Sequence, residues 1–218
     1  MLKKKAEAII RDIGRADRVF TINRNKAAFI VVDMQNFVCK PKKSPKKMIG
    51  IKKVVTNINR IADLCRRTNI PVIWIRQNFT MKKGKSDGGL YDKFHKTPLS
   101  REITNRRPGT EIYKELHFDG KKDHVVFKNR YSAFESKISK LDNLLKKLGK
   151  KQLIFAGAAV NVCVESTIRD AMQKGYEATL VSDATTTFDK ALLEASLFNI
   201  KIYFGDVLDT AGVLKELA

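Results

Sequence analysis

Two hydrophobic rhythms alternate along this chain. Short continuous apolar runs such as Phe29, Ile30, Val31 and Val32 are separated by longer stretches in which apolar residues return every three or four positions. Continuous runs suit strands buried on both faces, and the three-to-four spacing suits helices with one apolar side. The pattern predicts a helix over Leu2 to Ile13 and strands over Ala27 to Val32, Pro71 to Arg76, His124 to Lys128, Leu153 to Ala156 and Ala178 to Ser182, with a short last strand near Lys201 to Phe204. Helices are predicted over Ile49 to Thr68, Lys137 to Leu148, Val162 to Lys174 and Lys190 to Phe198, and a C-terminal helix follows. Ile51, Val54, Val55, Ile58, Ile61, Ala62 and Cys65 share one side of the second helix, so Cys65 reads as a core residue.

Strands that alternate with helices imply an α/β fold: an open, doubly wound, six-stranded parallel sheet with helices on both faces, a Rossmann-like three-layer arrangement. One domain spanning 1–218 is expected, since 218 residues with 43 % hydrophobic content can build one substantial core. Two stretches break the rhythm. Cys39 to Lys47 is a loop rich in Lys, Pro and Ser, and Asn78 to Lys122 has little apolar period and is interrupted by Gly84, Gly88, Gly89, Pro98, Pro108 and Gly109. A long loop at the end of a parallel strand suggests a lid or subunit-contact segment.

Composition narrows the setting. No apolar run approaches the length of a membrane span, and the basic N-terminus leads into an amphipathic pattern, not a signal-peptide core. Cys39, Cys65 and Cys163 are odd in number and form no CxxC pair, which argues against a disulfide framework and for a reducing, cytoplasmic setting. The net charge of +20 raises the possibility of a polyanion partner. The lysines are spread over nearly every element with no interleaved aromatic motif, so nucleic-acid binding is not expected and a solvated basic surface is.

The candidate chemistry lies at strand ends. Gly157, Ala158 and Ala159 form a small-residue turn that delivers Cys163 to the start of a predicted helix, whose first amides would favour a thiolate and could hold an oxyanion. Asp33 follows the first strand and Lys128 ends another. An acid, a cation and a thiol on three strand ends suggest an enzyme.

These residues sit in motifs that resemble the isochorismatase-like cysteine hydrolases: Val32-Asp33-Met34-Gln35-Asn36, Lys128-Asn129-Arg130-Tyr131-Ser132-Ala133-Phe134 and Asn161-Val162-Cys163-Val164-Glu165-Ser166-Thr167-Ile168-Arg169-Asp170-Ala171, closed by Asp183-Ala184. The resemblance runs from about Ala27 to Ala184. It implies a catalytic triad of Asp33, Lys128 and Cys163, working through an acyl-enzyme with no metal or cofactor. It also implies a cis peptide between Ala158 and Ala159, with the backbone amides of Ala159 and Cys163 as oxyanion donors. Many members have Thr where this chain has Val160, a change that leaves backbone donors in place.

The wording is nearest to family members that hydrolyse ureidoacrylate, biuret and N-carbamoylsarcosine. A small amide or ureido substrate is thus implied, with Gln35, Gln77, Asn78 and Asn161 as polar contacts and Phe37, Trp74 and Tyr131 as pocket walls. A nicotinamidase-like activity is the enzyme alternative. The metal-binding Asp-x-His of the nicotinamidases is absent after the second strand, where Arg76-Gln77-Asn78-Phe79 stands, and the only histidines are His95, His117 and His124. Arg169 and Asp170 read as helix or subunit braces. The resemblance implies a homodimer or homotetramer, and a catalytically silent polyanion-binding protein is the alternative from another class.

Overall fold

The computed structural model describes residues 2–40, 47–83, 85–94, 103–105 and 107–218. Most of the expected loop at Cys39 to Lys47, together with Gly84, His95 and Pro98, lies outside the described residues.

Six strands form one parallel sheet: β1 (Ala27–Val32), β2 (Val72–Gln77), β5 (His124–Lys128), β6 (Gln152–Ala158), β7 (Glu177–Thr186) and β8 (Asp206–Leu208), in the order β5-β2-β1-β6-β7-β8. Between β2 and β5 lie the small antiparallel pair β3 (Met81–Lys82) and β4 (Lys85–Ser86) and the short helix α4 (Tyr91–Phe94). Every residue of β1 and of β6 is buried, as continuous apolar runs require when helices cover both sheet faces. The chain winds outward from β1 through β2 to β5, then returns to place β6 beside β1 and winds the other way. The reversal opens a crevice beyond the carboxyl ends of β1 and β6, where α/β sheets place their sites.

The other helices are α1 (Leu2–Asp12), α2 (Asn36–Cys39), α3 (Ile51–Arg67), α5 (Leu141–Lys147), α6 (Glu165–Gln173), α7 (Lys190–Asn199) and α8 (Thr210–Leu217). One face of the sheet packs Phe29, Val31, Val72 and Trp74 against Val54, Ile58, Ile61 and Cys65 of α3 and Val213 and Leu217 of α8. The other packs Ile30, Val32, Ile73 and Ile75 against Leu141 and Leu145 of α5 and Ile168 and Ala171 of α6. Cys65 is fully buried in the first layer. Among the described residues no helix is long and apolar enough to cross a membrane.

Two expectations need correction. Residues 200–204 continue α7 as a π-helical turn, and the last strand is Asp206–Leu208. Ile200, Ile202 and Phe204 suit a short strand by alternation, but the carboxylate of Asp206 fixes the strand one step later. It is fully buried and accepts from the amides of Val19 and Phe20 and from Arg15 and Arg18, tying the sheet edge to the segment after α1. The predicted helix Val162 to Lys174 also begins differently, as a π-helical turn over Val160–Val164 that leads into α6.

Gly157 is the tightest backbone contact at the crevice. It pairs with Val32, has φ +117°, and a Cβ built on it would lie 2.2 Å from the Val32 carbonyl oxygen. Gly149 also has positive φ, +65°, but has open space around it. Gly157→Ala is therefore expected to lower unfolding free energy by about 3 kcal/mol or more, and Gly149→Ala by about 1 kcal/mol. Urea unfolding of the two variants checks this; equal losses would contradict it.

Candidate active site

Three groups converge at the crevice, each set there by a strand end. Asp33 is the first residue beyond β1 and adopts the left-handed region, φ 51°, which aspartate tolerates better than most residues. Its amide donates to the Ile75 carbonyl at 3.0 Å, and its own carbonyl accepts from Gln35 at 2.8 Å. Lys128 ends β5, two strands away with β2 between. Neighbouring strands lie about 4.8 Å apart, so reaching from β5 towards β1 needs a long side chain. Cys163 sits in the π-helical turn between β6 and α6.

The lysine joins the other two. Its fully buried Nζ lies 2.8 Å from Asp33 Oδ2 and donates to Cys163 Sγ at 3.2 Å and to the Arg130 carbonyl at 3.0 Å. The carboxylate contact is an ion pair, and the sulfur and the carbonyl take the hydrogen bonds. Asp33 is 1 % exposed and Cys163 6 % exposed, so the contacts act in a shielded environment.

Burial raises the Asp33 value, although Lys128, the Cys163 thiol and the Gln77 amide all oppose it. Burial works to lower the Lys128 value, but its contacts with Asp33 and Cys163 outweigh it and the ammonium is held firmly. Burial, and then the Asp33 charge, push the Cys163 thiol up to about 12 against the pull of Lys128. That shift favours the thiol over the thiolate expected from a helix N-terminus. Desolvation and a neighbouring carboxylate outweigh the amide dipoles.

Supporting contacts fix the frame. The Thr167 hydroxyl donates to the Cys163 carbonyl at 2.7 Å and accepts from the Ala133 amide at 3.2 Å, pinning the loop after β5 to the turn that holds Cys163. Ser136 accepts from the Asn129 amide and donates to Asn129 Oδ1, and Asn129 Nδ2 reaches Asp87 Oδ2 at 3.0 Å. Asp87 thereby ties the segment after β4 to the loop that carries Tyr131. Glu165 accepts from Arg169, Ser196 and Asn199 and locks α6 to α7, while the Arg169 guanidinium lies 4.1 Å from the Phe204 ring centre. Arg169 is thus a brace within the chain. The peptide between Ala158 and Ala159 is cis.

The other candidate residues divide. Gln35 is fully buried, and its carboxamide is spent on backbone: Nε2 donates to the carbonyls of Gln77 and Thr110, and Oε1 accepts from the Gln77 amide. It staples β1, β2 and the 108–110 turn, which corrects the expectation of a substrate contact. Trp74 packs in the sheet layer opposite Cys163, with its indole donating to Asp123 at 2.8 Å and Phe118 edge-on to its ring. It is a core residue, not a pocket wall, because strand alternation turns it away from the thiol's face.

Tyr131 is 39 % exposed beside Tyr91, and its phenol is raised by burial and by the nearby Cys163. Asn161 accepts from Thr187 at 2.7 Å. Phe37 is half-buried at the edge of the first core layer, and Asn78 is half-buried with its amide donating to the Lys128 carbonyl. Gln77 pairs with Lys128 across the strand gap and is 3 % exposed. Among the described residues no three His, Cys, Asp or Glu side chains form a group that could hold a metal ion.

Thr167 and Ser136 were within reach of sequence reasoning, since both lie in or beside the motifs. Asp87 was not, because it stands in an aperiodic loop with no local signal.

Known proteins identify the family. The model of the isochorismatase domain matches residues 27–212. Nicotinamidase 3 of Arabidopsis thaliana is 32 % identical over 196 residues, covering 89 % of this chain and 90 % of that protein. Ureidoacrylate amidohydrolase RutB of Methylobacterium radiotolerans is 31 % identical over 206 residues, covering 86 % and 78 %. The crystal structure of a cysteine hydrolase from Pseudomonas syringae pv. phaseolicola superposes with a TM-score of 0.79 at 27 % identity, covering 92 % of this chain and 96 % of that one. With its site at the β1–β6 reversal and a family match across most of its length, this chain belongs to the isochorismatase domain family.

Proposed function

We propose that the protein is a cysteine-dependent amidohydrolase that cleaves a non-peptide C–N bond of a small linear amide or ureido compound and releases ammonia through a thioester. The observation that carries this reading is the buried Lys128 ammonium in contact with both the Asp33 carboxylate and the Cys163 sulfur. Asp33 takes the thiol proton as the sulfur attacks the substrate carbonyl, and Lys128 holds the negative charge that the pair then shares. The amides of Cys163 and Ala159 receive the oxyanion. Asp33 returns the proton to the departing nitrogen as the C–N bond breaks, leaving an acyl group on sulfur. It next takes a proton from water, whose oxygen attacks the thioester, and the acid product leaves as the thiol is restored.

The raised Asp33 value suits this alternation, since a carboxylate that binds a proton more readily serves both steps better. Tyr131, Phe37, Asn78 and Asn161 are the proposed substrate contacts besides the triad. The reading extends to a cytoplasmic homodimer or homotetramer in which the segment 78–122 is a lid or subunit contact. Leu90 and Phe94, 60 % and 76 % exposed within that segment, support it. The plant nicotinamidase relative favours nicotinamide as a second substrate to test.

Ammonia release should be measured on ureidoacrylate, biuret, N-carbamoyl amino acids, nicotinamide and simple amides. Cys163→Ala is expected to abolish turnover, by about 10⁴-fold or more. Activity that survives the substitution would contradict the reading, and salt-sensitive polyanion binding in place of turnover would favour a binding role.

Asp33 has a separable signature. Iodoacetamide alkylation of Cys163 should still accelerate as pH rises past the ordinary thiol value of 9.0. In Asp33→Asn the profile should move to lower pH, because a charge that raises the thiol is gone, while kcat falls by roughly 10²- to 10⁴-fold. A wild-type plateau below 9.0, or an unmoved profile in the variant, would contradict the assignment.

A further inference from the structure

Gln77 holds the one buried side-chain amide nitrogen, among the described residues, that lacks a hydrogen-bond partner. Its backbone is fully engaged by Gln35, through the amide at 2.8 Å and the carbonyl at 3.0 Å, so the fold already has what it needs from this position. A buried NH₂ group left without an acceptor costs free energy that an apolar side chain of similar shape would avoid. Such a group calls for a partner absent from the free protein.

Its place in the sheet says where that partner sits. Ile73 and Ile75, which share its side of β2, pack in the same cluster as Cys163 and Val160. Lys128 is its direct neighbour on β5, and the reach of that lysine to Asp33 beyond β1 crosses the end of β2 where Gln77 stands. The Gln77 carboxamide is thus enclosed with the reacting groups. An NH₂ group only donates, so its complement is an acceptor. Asp33 Oδ2 faces Lys128 at 2.8 Å and neither Asp33 oxygen accepts from the Gln77 carboxamide in the free protein, while in the proposed mechanism the scissile carbonyl oxygen goes to the amides of Ala159 and Cys163.

We infer that Gln77 Nε2 determines specificity by donating to a second oxygen of the substrate, a carbonyl or carboxylate beyond the scissile carbon. The inference rests on the amidohydrolase reading. The favoured substrate is then an amide or ureide with a second acceptor, not a simple aliphatic amide.

Malonamide carries a second carbonyl and butyramide carries none, and the two are similar in length. Calorimetric titration of both into Cys163→Ala, with and without Gln77→Met, tests the inference without turnover. Malonamide should bind tighter than butyramide by roughly tenfold or more, and Gln77→Met should erase that preference while leaving butyramide within about twofold. The thermal midpoint of the Gln77→Met protein should not fall, since the substitution removes an unpaired polar group. A preference that survives Gln77→Met, equal weakening of both ligands, no binding of malonamide, or a protein that loses stability or fails to fold would each overturn the inference. Hydrolysis by wild-type protein that is lost in Cys163→Ala would leave the amidohydrolase reading standing in those cases. Its absence alongside the malonamide preference would sink that reading and leave the binding role of Gln77.

Discussion

A buried ammonium cannot stand without acceptors, and the site is organised around that constraint. The Lys128 Nζ is removed from water and held by Asp33, the Arg130 carbonyl and the Cys163 sulfur. Removing one partner from a buried pair costs several kcal/mol, because the remaining charge is left uncompensated. The lysine thus ties the carboxylate, the thiol and the loop after β5 into one unit. The geometry that steadies the charge also places a carboxylate and an ammonium beside the Cys163 thiol.

The fold supplies this geometry through its winding. The order β5-β2-β1-β6-β7-β8 puts the carboxyl ends of β1 and β6 side by side, so Asp33 and the turn holding Cys163 are neighbours despite their distance in sequence. Gly157 permits the approach because β6 has no room for a side chain against Val32. Lys128 enters from the far side of β2, which leaves the end of that strand, with Gln77, under the reach of the ion pair. Gln35 then fixes the ends of β1 and β2 to the segment that follows, through backbone groups alone.

Much of this was legible in the sequence. The continuous apolar runs marked five of the six sheet strands, and the periodic stretches marked the long helices, because burial on two faces or one leaves a direct trace in residue order. Asp33, Lys128 and Cys163 stood out because each follows or ends such a run. What sequence could not supply was direction and partnership. Trp74 and Gln77 lie in one strand at opposite parity: Trp74 packs in the layer away from the thiol, while Gln77 shares its side with Ile73 and Ile75, which pack with Cys163. Gln35 looked like a recognition group because it is polar beside Asp33, yet its partners are backbone groups up to 75 positions away. Residues 200–204 show how local alternation is overridden when a buried contact such as that of Asp206 sets the strand boundary.

In the proposed reaction the Cys163 sulfur carries the acyl group during turnover. Acid quenching of the enzyme during hydrolysis of whichever amide it accepts, followed by peptide mass spectrometry, tests it directly. The Cys163 peptide should gain the mass of the substrate acyl group, and hydroxylamine should remove it. An unmodified Cys163 peptide during continuing turnover, or an acyl group found on another residue, would rule out a thioester on Cys163.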